Sequence, residues 1–349
     1  MFIARAPTIF LVCHRFSLCP LWLKVSLDWI GESLTKVNAG MAGDGSGVVI
    51  LTDDPGWHGA RLRDAFLSRG VKTRFASLRD CRFDLHRPGR SVVLPGFEDR
   101  LPGGVFVRGV PGGTLEQVVL RLDVLHALKL LGVPVYNDGR AIERTVDKAM
   151  TSFILANAGI PTPATWVTES QSGAAAVVRA EMAAGRKLVV KPLFGSQGVG
   201  LKRICAFDDL PPGTDYDGVY YLQRYIESGN AGWHDWRVFV IDGIAVAAMK
   251  RQGKSWITNV SQGGTCAPAD LSEHEDLRAL AQKACCALQM DYAGVDLIRD
   301  GDGRLQVVEV NGIPAWKGLQ SVTQDSIAQM LVNDFVDRHL RRPALHSVA

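Results

Sequence analysis

At 349 residues, with 47% hydrophobic and 21% charged residues, the chain has apolar material for two or three packed lobes. Its formal net charge is only +3 and the Lys and Arg residues are scattered, so the dense basic stripe of a nucleic-acid binder is missing and a small-molecule or protein substrate is implied. Seven cysteines (Cys13, Cys19, Cys81, Cys205, Cys266, Cys285 and Cys286) make an odd set with no CxxC or Cys/His ligand spacing, so neither a disulfide framework nor a zinc site is suggested.

Residues 1–40 mix apolar patches with charges, and Arg15 and Lys24 interrupt every candidate signal sequence or membrane span. Met41 directly precedes a Gly/Asp/Ser linker and a strand, so residues 1–45 are expected to be an extension, disordered or created by a misplaced start. A transit peptide and a docking element are the alternatives. The reading places the protein in the cytoplasm, with thiols reduced and no membrane contact.

Val48–Leu51 reads as a buried strand ending in the turn Thr52-Asp53-Asp54-Pro55-Gly56. A helix follows with Leu62, Ala65 and Phe66 on one face, and Val71–Phe75 restarts a strand, which makes a βαβ unit. Strands are predicted at 91–94 and 105–107. A helix is predicted from Thr114, its cap, to Leu131, before Gly132, leading into Val135-Tyr136-Asn137. This α/β lobe, residues 46–140, carries no GxGxxG after its first strand, so a dinucleotide site is not indicated.

From near Arg140 a helix is predicted through Lys148 to Ala158, ending at Gly159-Ile160-Pro161-Thr162-Pro163, where two prolines force an extended crossing. A small α+β lobe, 141–218, contains strands at 165–167, 188–191 and 200–204 and an Ala-rich helix at 173–184. Residues 219–342 are mostly strand (220–223, 236–241, 244–250), then a helix at 272–288, a hairpin and a closing helix. Residues 343–349 form a tail.

The hairpin carries the most chemistry. Centred near residues 302–303, it sets Asp296 opposite Glu309, with Asn311 on the same face because strand side chains alternate. Carboxylates placed across a sheet repel unless a divalent cation lies between them, and this oxygen set suits Mg²⁺ shared with nucleotide phosphates. An ordinary polar outer face is the competing reading. A second feature is the apolar strand that delivers Lys191 just before a loop with glycines at 195, 198 and 200, whose backbone could approach phosphate oxygens. It is not a Walker loop, and a plain hairpin turn would look similar. Lys148 opens a helix facing the same crossing, and Arg237 and Arg251 sit in apolar strands where each needs an anionic partner, a phosphate or a structural carboxylate.

Asp147-Lys148, the Lys191 strand with its glycine loop, Gln223-Arg224-Tyr225-Ile226, Arg237, Arg251, Asn259 with Gly263-Gly264, Ala293–Asp296 and Glu309-Val310-Asn311 occur in the order seen in ATP-grasp ligases. The chain resembles their RimK-like branch over residues 48–340. The resemblance implies an ATP-grasp fold, α/β and α+β, behind an N-terminal α/β pre-ATP-grasp domain. It implies that Lys148 and Lys191 hold ATP phosphates under the loop Gly195-Ser196-Gln197-Gly198, that Gln223, Arg224 and Tyr225 form the adenine hinge, and that Asp235 meets the ribose.

By the same resemblance, Asp296, Glu309 and Asn311 would bind one or two Mg²⁺ ions, for which Mn²⁺ could substitute. Arg237, Arg251 and Asn259 would face the γ-phosphate and the acyl phosphate made from it. Trp233, Trp236, Trp316 and Lys317 would border the acceptor pocket. The implied enzyme is a carboxylate–amine ligase adding glutamate or another amino acid to a coenzyme, a pterin for instance, or to a protein, and working as an oligomer of identical subunits. A nucleotide-binding regulatory module and a phosphotransferase that forms no amide are the alternatives. Arg224 and Ile257 depart from the pattern at nucleotide contacts.

Overall fold

The computed structural model describes residues 47–86, 91–195, 198–227 and 232–340. The reading of residues 1–45, the loop residues Ser196 and Gln197 and the C-terminal tail lie outside them.

The first sheet is parallel and holds β1 (Val48–Leu51), β2 (Thr73–Ala76), β5 (Gly104–Val107) and β6 (Val135–Tyr136) in the order β2-β1-β5-β6. A two-stranded ribbon, β3 (Arg82–Phe83) with β4 (Val92–Val93), sits in the β2–β5 connection. All four residues of β1 are buried because helices cover both faces. Helix α1 (Gly56–Ser68) packs Leu62 and Phe66 on one side, and α2 (Leu115–Leu130) packs Val124, Leu125 and Leu128 on the other. Thr114 caps α2 as its sequence suggests, in a reciprocal box with Gln117, and Gly132 leaves it at φ 80°.

The helix expected from Arg140 to Ala158 is two helices, α3 (Gly139–Val146) and α4 (Lys148–Asn157). Asp147 takes an extended conformation between them and its carboxylate accepts from the N–H groups of Ala149 and Met150. That break makes Lys148 the first residue of α4.

The second sheet, antiparallel, contains β7 (Thr165–Thr168), β8 (Leu188–Lys191), β9 (Lys202–Ile204) and β10 (Tyr220–Arg224) in the order β7-β10-β8-β9, backed by α5 (Gln171–Ala183). Ala174, Val178, Leu188, Val190, Ile204 and Leu222 give it a small core of its own. The third sheet is the largest: β11 (His234–Ile241), β12 (Ile244–Gln252), β13 (Thr265–Pro268), β14 (Tyr292–Arg299) and β15 (Leu305–Asn311), ordered β13-β12-β11-β14-β15. Helix α6 (Glu275–Ala287) covers one face through Leu277, Ala281, Ala284 and Cys285.

The other face of the third sheet is divided along its strands. Phe239 and Tyr292 join Phe66, Phe106, Tyr136 and Phe335 of α7 (Ile327–Phe335) in a core shared with the first sheet. Asp235 and Arg237, earlier on β11, are left to polar work. Asn137, fully buried, rivets the junction: its amide donates to the carbonyls of Tyr292 (2.8 Å) and Gly312 (2.7 Å), and its oxygen accepts from the N–H of Asp291 and Tyr292. Replacing it with Ala strands four buried backbone groups, each costing about 1–3 kcal/mol less what relaxation recovers. We expect a loss of about 2–4 kcal/mol, read from the urea midpoint at unchanged m.

Among the described residues no helix is long and apolar enough to cross a membrane.

Candidate active site

An open cleft of about 970 Å³ lies between the second and third sheets.

The second sheet supplies one wall. Leu188 and Val190 enter that lobe's core, and alternation turns Val189 and Lys191 toward the cleft. Lys191 Nζ donates to Gln223 Oε1 at 2.6 Å, and the Gln223 amide donates to Tyr221 Oη at 3.1 Å and Thr165 Oγ1 at 3.2 Å. This chain fixes the ammonium. Burial lowers the Lys191 pKa to about 8, partly opposed by the negative charge of Glu309. Lys148 Nζ donates 2.7 Å to the carbonyl of Gly195, and burial lowers its pKa too, again against Glu309. Gly198 (φ 75°) closes the loop onto the opposite wall, where a Cβ on it would stand 3.0 Å from Asn259 Oδ1.

The third sheet supplies that opposite wall through its register. Asp235 pairs with Arg251, Arg237 with Asp296, Asp296 with Glu309, and Gly294 with Asn311, so the predicted carboxylate pair stands directly opposite. The hairpin achieves this only with a bulge: Asp296 pairs Glu309 while Leu297 pairs Val307, leaving Val308 as the extra residue. Val308 and Glu309 therefore both line the cleft, while Val307 and Val310 both enter the core under α6. Strict alternation would have buried either Glu309 or Val308.

Four of these side chains form a buried ionic chain. Arg251 makes two bonds to Asp235 (2.7 and 2.6 Å) and approaches Asp296 at 3.0 Å, and Arg237 holds Asp296 with two bonds of 2.7 Å. Burial alone would raise the Asp296 pKa, but the two guanidinium groups hold it below the usual carboxylate range. Glu309 has no ion pair or hydrogen bond among the described residues, and the Asn311 amide makes only a long contact, 3.4 Å, to the carbonyl of Gly294.

Twelve of the predicted residues line this cleft: Lys148, Lys191, Gly195, Gly198, Gln223, Arg224, Tyr225, Asp235, Arg251, Asn259, Asp296 and Glu309. Arg237 joins through Asp296, and Asn311 lies beside Glu309 on β15. Other predicted residues are paired within the site or lie outside this cleft. Asp235 lines the cleft with its oxygens engaged by Arg251 and Thr258 (2.7 Å), so it positions Arg251. The Arg224 guanidinium is held by Glu181 at 2.8 and 3.1 Å while the residue lines the cleft. Trp316 is 0% exposed, its ring against Phe239 and His58, and Trp236 faces the core under α6, so neither offers a stacking surface. Trp233 and Lys317 are exposed but do not line the cleft.

Beside Ile226 of the hinge motif, the apolar walls Leu201, Trp256, Ile298 and Val308, suited to a flat base, were missed by sequence reasoning. Ile298 was readable as the residue two beyond Asp296. Val308 was not, because a bulge leaves no mark in the alternation.

Solved structures share this fold. The ATP-grasp ligase PsnB complexed with minimal precursor, Mg and ADP aligns with a TM-score of 0.65 at 19% identity, over 86% of this chain and 99% of that one. A model of the RimK-like ATP-grasp domain matches residues 145–335. The chain is 35% identical over 237 residues to the tetrahydromethanopterin:alpha-L-glutamate ligase of Methanococcus maripaludis, covering 66% of this chain and 77% of that one. It is 29% identical to a probable alpha-L-glutamate ligase 1 of Shewanella denitrificans, over 84% of this chain and 98% of the relative. The chain belongs to the RimK-like ATP-grasp family, and its activity is that of an ATP-dependent carboxylate–amine ligase.

Proposed function

We propose that the protein joins the amine of glutamate to the carboxylate of a small coenzyme, with Mg·ATP bound in the cleft. The observation that carries this reading is the opposition of Lys148, Lys191, Gly195 and Gly198 to Asp296 and Glu309 across one cleft, with Asn311 two residues beyond Glu309 on β15. Glutamate is supported by the names of the relatives, and a pterin-like acceptor by that of the Methanococcus maripaludis protein.

The residues fit Mg²⁺: two carboxylates face each other, Glu309 and Asn311 keep oxygens unpaired, and both are hard donors. Among the described residues no group of three or more His, Cys, Asp or Glu could hold a metal ion by itself, so nucleotide phosphates would have to complete the coordination. When bound, the ion would neutralise the charge that develops on the transferred phosphoryl group. Lys148 and Lys191 orient the phosphates from one side. Arg237 and Arg251, locked by Asp235 and Asp296, present fixed positive charge to the acyl phosphate from the other, so little reorganisation is needed at reaction.

Because Lys191 titrates near 8 and must be protonated to hold a phosphate, binding sets the sign of a pH effect. A phosphate raises the lysine pKa, so nucleotide binding takes up a proton above pH 8 and ATP affinity falls by up to about tenfold per unit there. Calorimetry of ATP binding at pH 9 in buffers of different ionisation enthalpy should reveal that uptake, and Lys191→Met should abolish it.

The direct test is ADP and phosphate release from Mg·ATP by the full chain, with glutamate and a panel of carboxylate coenzymes supplied singly and in pairs. Release requiring one carboxylate and one amine, with the product gaining the mass of glutamate, is expected. ADP release without any amine would favour a phosphotransferase and overturn this reading.

A further inference from the structure

The first sheet has a second polar site that neither the nucleotide cleft nor the metal ligands use. Strands β1 and β5 are parallel neighbours whose following helices, α1 and α2, lie on opposite faces of the sheet. In open α/β sheets the crevice at the carboxyl ends of such strands is where ligands bind. Here β5 delivers Arg108 into it.

Arg108 lacks a carboxylate partner among the described residues, unlike Arg237 and Arg251. Its guanidinium lies over the Trp316 ring, 4.9 Å from the centroid. Arg108 Nη1 and Trp316 Nε1 are both buried donors with no acceptor. Leaving a buried donor unsatisfied is costly, and two at one contact imply a missing acceptor. Lys317, the next residue, adds an exposed ammonium with no ion pair among the described residues. His58 completes the enclosure: its Nε2 accepts from the backbone N–H of Trp316 at 3.2 Å, and burial, with Arg108 and Lys317, lowers its pKa to about 4. It is therefore neutral and does not compete for an anion's place.

The site is joined to the chemistry. Arg237 and Phe239 share a face of β11, about 7 Å apart by strand rise. Trp316 packs on Phe239, with ring centroids 6.3 Å apart. The segment leaving Asn311 passes Arg237 at Pro314 and reaches Trp316 two residues later. A Cβ on Gly294 would stand 2.9 Å from Pro314 and 3.7 Å from Arg237. One turn further, Gly318 abuts Cys266, the register partner of Arg251, and Val260, the neighbour of Asn259. The uncompensated cations thus flank the arginines assigned to the acyl phosphate, on the side toward the first sheet.

We propose that Arg108 and Lys317 form the anchor for a carboxylate of the amine-bearing amino acid, holding it so that its amine faces the acyl phosphate. This rests on the ligase reading of the same cleft. Arg108 keeps partial exposure, so a side-chain adjustment brings its free donor to the ligand. A carboxylate supplies the acceptor that both buried donors lack, and the cations make the site select an amino acid over a simple amine.

The test compares wild type with Arg108→Met, Arg108→Lys and Lys317→Gln in steady-state ligation. Glutamate and its two mono-amides, one blocked at each carboxylate, serve as the amine. Wild type should prefer glutamate over the mono-amide that blocks the anchored carboxylate. Arg108→Met should raise the KM for glutamate tenfold or more, leave the KM for ATP within twofold and erase that preference, and Arg108→Lys should restore part of it. Lys317→Gln, at an exposed position that folding does not need, should shift the glutamate KM several-fold in the same direction. Unchanged amine KM and amide preference in all three variants, or a rise in the ATP KM equal to that for glutamate, overturns the anchor while leaving the ligase reading intact. Failure of wild type to turn over with any amino acid overturns both.

Discussion

Replacing Glu309 with Gln should lower turnover by roughly 10²–10³-fold, the loss typical when one electrostatic contact to a developing charge is removed, with the thermal midpoint essentially unchanged. Glu309 stands on the exposed side of the β15 bulge and makes no ion pair or hydrogen bond among the described residues, so the fold asks nothing of its charge. Its charge matters to the two lysines across the cleft. It counters the burial that lowers the pKa of Lys191 and of Lys148, so removing it should move the Lys191 pKa further below 8. The variant should therefore need more Mg²⁺ for half-maximal ADP release and show its proton uptake on nucleotide binding at a lower pH. Wild-type turnover and Mg²⁺ dependence in this variant would remove Glu309 from the metal site.

That Glu309 could be picked out before any coordinates shows which information is local. The turn position brings Asp296 close to Glu309 and the Val308 bulge completes their pairing, whereas the helix cap at Thr114 and the Lys191 strand follow from nearest-neighbour chemistry. What was illegible depends on tertiary placement. Asp235 sits on a strand face like any ribose ligand would, and only the β11–β12 register shows that Arg251 claims it. Trp316 follows Asn311 closely enough to suggest the substrate pocket, yet the shared core with the first sheet draws its ring inward. Arg108 gave no signal, because a lone arginine ending a strand gains meaning only when the structure leaves its donor without an acceptor.

The ionic chain of Asp235, Arg251, Asp296 and Arg237 leads to the other large effect, one of stability. Asp296 is 4% exposed and Arg251 3%, so neither can turn to water when its partner is lost. Asp296→Asn removes one negative charge, leaving Arg237 without a carboxylate partner among the described residues and Arg251 with Asp235 alone. Breaking a buried pair in this way costs about 3–5 kcal/mol, the penalty of an uncompensated charge rather than the net worth of the pair. The variant should therefore unfold at markedly lower urea, in contrast to Glu309→Gln, although both lie in the same row of the sheet. The pH dependence carries a matching sign. The native pKa of Asp296 is held below its unfolded value, so the stability it contributes is present above the ordinary carboxylate range and is lost as pH falls through that depressed pKa. Wild type should lose this increment on acidification below about pH 4, whereas Asp296→Asn, having lost it at every pH, should show a flatter profile. Equal stability of the two proteins at neutral pH would mean that the arginines find other partners, and the charge network would then be no requirement of the fold.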